Sequence, residues 1–199
     1  MLHKYTRGFT FIELMVSTAI IVTLGSVVLY NYGTFNDNLA LSSAGQEMAI
    51  AIRQAQIYAL NVKESKTSSG QFSYAYGIYF HPTNNPTDYY IFIDSNGDKI
   101  YTVGNGCGGA VTECIEHIAL RDGVVISAFG ANSGCGSLNP ARHLDITFLR
   151  PSTDADINFF RNNGTIVCGS NQNGTITLTS LKGKNLVITV ENTGQIYVQ

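Results

Sequence analysis

RGFTFIELMVSTAIIVTLGSVVLY occupies residues 7–30, and the rest of the chain follows from how it is read. Phe9 to Tyr30 is almost wholly apolar and, as a helix, would extend roughly 33 Å. A bilayer core is about 30 Å thick, so the segment is long enough to cross it. His3, Lys4 and Arg7 precede it, and no Lys or Arg follows until Arg53. That asymmetry predicts an N-terminus in the cytoplasm and everything after Tyr30 outside. A secretory signal peptide fits less well, because its apolar core is usually ~7–15 residues and ends at a small-x-small cleavage site. Glu13 interrupts the pattern. An ionised acid deep in a bilayer costs about 2.5–3.5 kcal/mol, and such residues are usually paired and functional.

GFTFIEL, residues 8–14, resembles the type III signal of type IV prepilins and pseudopilins. In that family a short basic leader ends in Gly, an aromatic residue or Met follows, and a Glu stands five residues into the mature chain. The resemblance implies a leader of residues 1–8, cut between Gly8 and Phe9 by a prepilin peptidase, with N-methylation of Phe9. It implies an assembly role for Glu13, whose carboxylate would pair with the new Phe9 α-amine on a neighbouring subunit. An acid unsatisfied in lipid is driven towards the partner that satisfies it.

The 199 residues allow one membrane helix and one globular domain. From Phe9 onward the chain holds ten basic and fourteen acidic residues, a formal charge of −4. No broad basic field is available, which argues against nucleic acid as a partner. Ile, Val, Phe and Tyr are plentiful among many Asn, Gly, Ser and Thr, which reads as a turn-rich β domain.

Beyond the polar patch NYGTFNDN, apolar residues recur at three- and four-residue steps: Leu41, Ala44, Met48, Ala51, Ile52, Ala55, Tyr58, Ala59 and Val62. This is one face of a helix. The long helix is expected from Phe9 to about Val62, its second half packed on the outer domain. Gly25 and Gly33 weaken it locally by about 1 kcal/mol each relative to Ala.

Strands follow at short spacing. FSYAYGIYF (72–80) alternates. DYYIFIDSNGDKIYTV (88–103) reads as two strands about a turn at Ser95–Asp98. HIALRDGVVISAF (117–129) reads as two short pieces around Asp122–Gly123, followed by LDITFLR (144–150) and INFFRNNGTIVCG (157–169). GTITLTS comes next, and KNLVITVENTGQIYVQ closes the chain as a hairpin about Asn192–Gly194. The expected fold class is α+β: a long N-terminal transmembrane helix continuing into an antiparallel β-sandwich-like ectodomain. The expected division is residues 1–8 (leader), 9–30 (transmembrane and assembly helix), 31–62 (ectodomain half of the helix) and 63–199 (β-rich domain). YGIYF, YYIFIDSNGDKIY and the closing hairpin look like the GspH/FimT branch of minor pilins and pseudopilins.

Cys107, Cys114, Cys135 and Cys168 all lie in the predicted outer domain. An even count outside the cytoplasm suggests disulfides, with three pairings open. Cys107–Cys114 is the first choice, leaving Cys135–Cys168. A zinc site of Cys107, Cys114 and His117 has loose spacing and an unfavourable compartment. Asp94, Asn96 and Asp98 place oxygens at alternate positions, as a calcium loop begins, but the twelfth position is Asn105 where an acid is needed. No metal or cofactor is expected.

The chain shows no G-x-S-x-G elbow, H-E-x-x-H pair or phosphate loop, and is not expected to be an enzyme. The leading functional expectation is a minor subunit in, or at the tip of, a type IV pilus or type II secretion pseudopilus. Its partners would be other pilin-type subunits, the prepilin peptidase and the membrane. The alternative is a FimT-like minor pilin that captures DNA for uptake. Some FimT-like proteins use a basic C-terminal end, but ENTGQIYVQ carries only Glu191 as a charged side chain.

Overall fold

The computed structural model describes residues 8–61, 74–81, 86–102, 107, 112–131, 143–161, 165–169 and 172–199. One helix, α1 (Phe11–Leu60), runs unbroken through Gly25 and Gly33. It starts two residues later than the apolar pattern alone suggests, because Thr10 adopts an extended conformation and caps it. From Phe11 to Asn36 the described side chains are exposed. From Asp37 onward one face is buried: Leu41, Ala44, Met48, Ala51, Ile52, Ala55 and Ala59. Tyr58 packs partly against the same core, and Val62 lies outside the described residues.

Among the described residues ten strands follow, all paired antiparallel. β1 (Ala75–Phe80), β2 (Asp88–Asp94), β3 (Cys114–Ala119), β5 (His143–Phe148), β6 (Ala155–Phe160) and β7 (Ile166–Cys168) form one sheet, ordered β3-β2-β1-β5-β6-β7. β4 (Val125–Ala131), β8 (Gly174–Thr179), β9 (Asn185–Val190) and β10 (Ile196–Val198) form the other, ordered β10-β9-β8-β4. The long-range β1–β5 pair sets Ile78 opposite both Ile91 of β2 and Ile146 of β5. Side chains alternate across each strand. Ile78, Phe80, Ile91, Ile146, Phe148, Ile157 and Phe159 therefore point to the core shared with α1, as do Ile176, Leu178, Ile188 and Val190 of the second sheet. Gly45 lets α1 approach that sheet closely: a Cβ there would stand 2.6 Å from the Leu186 side chain.

One expectation needs correction. KIYTV does not return as a strand; among its described residues, Tyr101 and Thr102 are irregular. The edge of β2 that it would occupy is taken by β3, and the Ile93 N–H donates to the Glu113 carbonyl at 2.8 Å. The Asp94 carboxylate then closes the turn, accepting from the backbone N–H groups of Gly97, Asp98 and Lys99 at 2.7, 3.1 and 2.9 Å. Lys99 has φ 62°, which turns the chain across the sheet and lays the Tyr101 ring over Tyr79 and Phe92. The two expected pieces around Asp122–Gly123 are both strands, and they pair in different sheets: β3 with β2, and β4 with β8. The turn between them is a crossing point.

Candidate functional site

The segment 8–13 stands clear of the β domain. Gly8 and Phe9 precede the helix, and Phe9 is 80% exposed. Thr10 is the N-cap (φ −83°, ψ 151°), and its hydroxyl accepts from the Glu13 N–H at 3.3 Å. The Leu14 N–H donates to the Thr10 carbonyl at 3.2 Å. Thr10 and Glu13 thus hold the T-x-x-E positions of a capping box. The apolar pattern singles out Glu13 and not Thr10, although a Thr three residues before an acid at the head of an apolar run is a legible signal. In the first turn a carboxylate is also favoured by the helix dipole, by about 0.3–1 kcal/mol.

Glu13 is the only charged side chain from Gly8 to Asn36. The hydroxyls that follow it are turned back on the helix. Ser17 donates to the Glu13 carbonyl (2.7 Å), Thr18 to that of Met15 (3.0 Å), Thr23 to that of Ala19 (3.0 Å) and Ser26 to that of Thr23 (2.8 Å). Polar groups satisfied within the helix suit an apolar solvent. Around them Phe11, Ile12, Leu14, Met15, Val16, Ile20 and Ile21 are all more than half exposed. A helix with this apolar surface on all sides is built for lipid or for other helices.

Residues 3–29 match the sequence model of the family described as prokaryotic N-terminal methylation motif. That match indicates a type IV pilin-like N-terminal segment. No curated protein and no solved structure matches it. The motif and the exposed apolar helix together indicate single-pass membrane anchoring, and the motif points in general to a structural subunit that assembles with other pilins after processing by a prepilin peptidase.

The other candidate residues lie far from that segment: Cys114, His117 and His143 sit on the face of the larger sheet turned away from the core, while Cys168 of β7 packs against the core. Cys107 and Cys114 form a disulfide with Cα atoms 4.6 Å apart. Cys168 is also disulfide-bonded, and Cys135 lies outside the described residues. His117 stacks on Tyr90 at 4.7 Å and faces Asp88 at 3.3 Å. His143 stacks on Phe160 at 4.5 Å and near His81 at 6.0 Å. Burial and then the neighbouring His81 push its pKa down to about 4.

Asp145, two residues from His143, is fully buried, and alternation alone does not reveal it. Its Oδ2 accepts from the Tyr101 N–H at 3.1 Å, while Oδ1 has no hydrogen-bond partner among the described residues. Burial raises its pKa well above the usual carboxyl range; the Tyr101 N–H opposes this, and Asp98 and Glu113 add to it. A raised folded-state pKa means that the folded state holds the proton longer than the unfolded one. Stability therefore falls as pH rises from the ordinary carboxyl value through the raised one. Asp145→Asn keeps the shape without the charge and is predicted to stabilise the domain at neutral pH by about 1–3 kcal/mol. Thermal melts at acidic and neutral pH check this: the variant's advantage appears at neutral pH and shrinks in acid.

Proposed function

We propose that this chain is a minor pilin or pseudopilin of the GspH/FimT kind, a structural subunit placed in or at the tip of a type IV pilus or type II secretion pseudopilus. The observation that carries the reading is the head of the helix: Gly8 and Phe9 outside it, Thr10 capping it, and Glu13 as the one charge on an otherwise bare apolar surface. Among the described residues a Cβ at Gly8 would meet nothing within 4 Å, so their packing does not demand glycine there. A peptidase that cuts between Gly8 and Phe9 supplies the reason. Cutting leaves the Phe9 amine one residue ahead of the cap. That amine, N-methylated and still cationic, is the partner for Glu13 of a neighbouring subunit. The N-terminus lies in the cytoplasm before assembly and the β domain outside. The division into a leader (1–8), a spanning helix (9–30), its outer half (31–62) and a β domain (63–199) follows from this reading.

DNA capture finds less support. The strand β10 packs along α1, and its only described flanking charge is Glu191.

The test is in-cell crosslinking. A photo-reactive residue at Ile12, beside Glu13, should capture other prepilin-type subunits, and mass spectrometry should find chains beginning at methylated Phe9. An uncut chain with no such partner would sink the proposal.

A further inference from the structure

The turn between β8 and β9, Ser180–Lys184, is bound to α1 just past its apolar segment. The Ser180 hydroxyl donates to the buried Asp37 carboxylate at 2.8 Å, and the Lys182 N–H approaches the same group at 3.4 Å. The Lys182 ammonium donates to the Thr34 hydroxyl at 3.2 Å and the Lys184 ammonium to the Asn38 side chain at 2.6 Å. The turn's height along the helix is therefore set. Thr34 lies four residues beyond Tyr30, roughly 6 Å along the axis, and Asn38 roughly 12 Å. Headgroups occupy roughly 5–7 Å on each side of the hydrocarbon core. A chain anchored by Phe9–Tyr30 thus holds Lys182 within the headgroup layer.

The composition of this corner fits that depth. Leu181, at the tip, is 78% exposed, and it packs beside Gly123 of the β3–β4 turn, which also carries the exposed Arg121. Each ammonium has three donors and uses one here on α1, leaving others for phosphate oxygens. Apolar tip and cationic flanks are the pairing that interfacial segments use, the apolar group buried about 5–10 Å into the headgroup boundary.

We propose that the Ser180–Lys184 turn is a membrane-docking site. Leu181 enters the headgroup boundary of the leaflet from which α1 emerges, Lys182 binds anionic lipid headgroups within the layer, and Lys184 and Arg121 attract them from its outer edge. The β domain is thereby held against the bilayer before the helix is withdrawn into a filament. This rests on the reading of Phe9–Tyr30 as the spanning segment, and the experiment separates the two.

The chain contains no Trp, so one introduced Trp reports alone. Leu181→Trp, Leu24→Trp (mid-span) and Leu149→Trp (exposed, on the β domain away from this turn) would each be reconstituted as the full chain. The vesicles would be of phosphatidylcholine, with or without phosphatidylglycerol, and lipids brominated near the headgroup end of the acyl chain would serve as quenchers. Expected are a blue-shifted Leu181→Trp emission that loses roughly half its intensity to brominated lipid, and a Leu149→Trp emission that loses none. Adding Lys182→Gln and Lys184→Gln should return the quenching in phosphatidylglycerol to its phosphatidylcholine level, since a lysine near an anionic surface contributes about fivefold in affinity. Quenching at position 24 but not at 181 would overturn the docking site and leave the anchor standing. No quenching at 24 would overturn both. Shielding of position 181 from aqueous quencher without lipid quenching, growing with protein density, would assign the corner to a second copy of the chain and overturn the proposal.

Discussion

Replacing Glu13 by Leu is expected to leave the chain in the membrane but reduce its recovery in filaments at least about tenfold. The acid carries a desolvation penalty of about 2.5–3.5 kcal/mol at mid-bilayer and less near the end of the span. Pairing with the Phe9 amine of a neighbour relieves that penalty, and each 1.4 kcal/mol is about tenfold in an equilibrium. Leu removes both the penalty and the drive. Thr10→Ala is the companion: it removes the cap, at a cost of about 1 kcal/mol, while keeping the carboxylate. Quantifying each variant in sheared filaments and in membranes, with mass spectrometry of the N-terminus, separates assembly from processing. Full incorporation of the Leu variant would remove Glu13 from assembly.

Gly194→Ala is expected to destabilise the β domain by about 3 kcal/mol. Gly194 has φ 81°, and holding an L-residue in that region costs about 1–2 kcal/mol. A Cβ would also collide with the Thr153 carbonyl and stand 2.6 Å from the Gln56 Nε2. That amide donates to the carbonyls of Thr153 and Gly194 at 3.1 and 3.3 Å, so α1, the loop before β6 and the β9–β10 turn meet at this point. Overpacking adds about 1–3 kcal/mol. For a domain of this size the melting temperature should drop by roughly 6–12 °C. Gly183→Ala supplies the control, because its φ is 77° but a Cβ there would meet nothing within 4 Å. It should lose only the conformational part. Equal losses in the two variants would mean that the three-way junction contributes nothing.

Features with a short physical range are legible in the chain itself. Phe9–Tyr30 is apolar at every turn, so its length and solvent are readable without a partner. The spacing of Leu41, Ala44, Met48, Ala51, Ile52, Ala55 and Ala59 marks the face that α1 buries, because helix geometry repeats every few residues. Glu13 stands out because a charge within an apolar run is costly wherever it lies. The strands from Ala75 to Val198 are visible as alternating apolar runs, and the Asn192–Gly194 turn as turn chemistry.

Whatever depends on residues far apart in the chain needs the folded molecule. KIYTV has strand composition, yet the edge it needed went to Cys114–Ala119, and the Asp94 carboxylate closed a tighter turn. Whether the two strands around Asp122–Gly123 form a hairpin or change sheets depends on partners at Asp88–Phe92 and Gly174–Thr179, which local propensity does not encode. Asp145 follows the outward alternation of β5, and only the Tyr101 segment folded over it makes it buried. Lys182 and Lys184 read as ordinary turn lysines until Asp37, Thr34 and Asn38 fix their height on the helix. Periodicity reports which way a side chain points; what it meets there is set by long-range pairing.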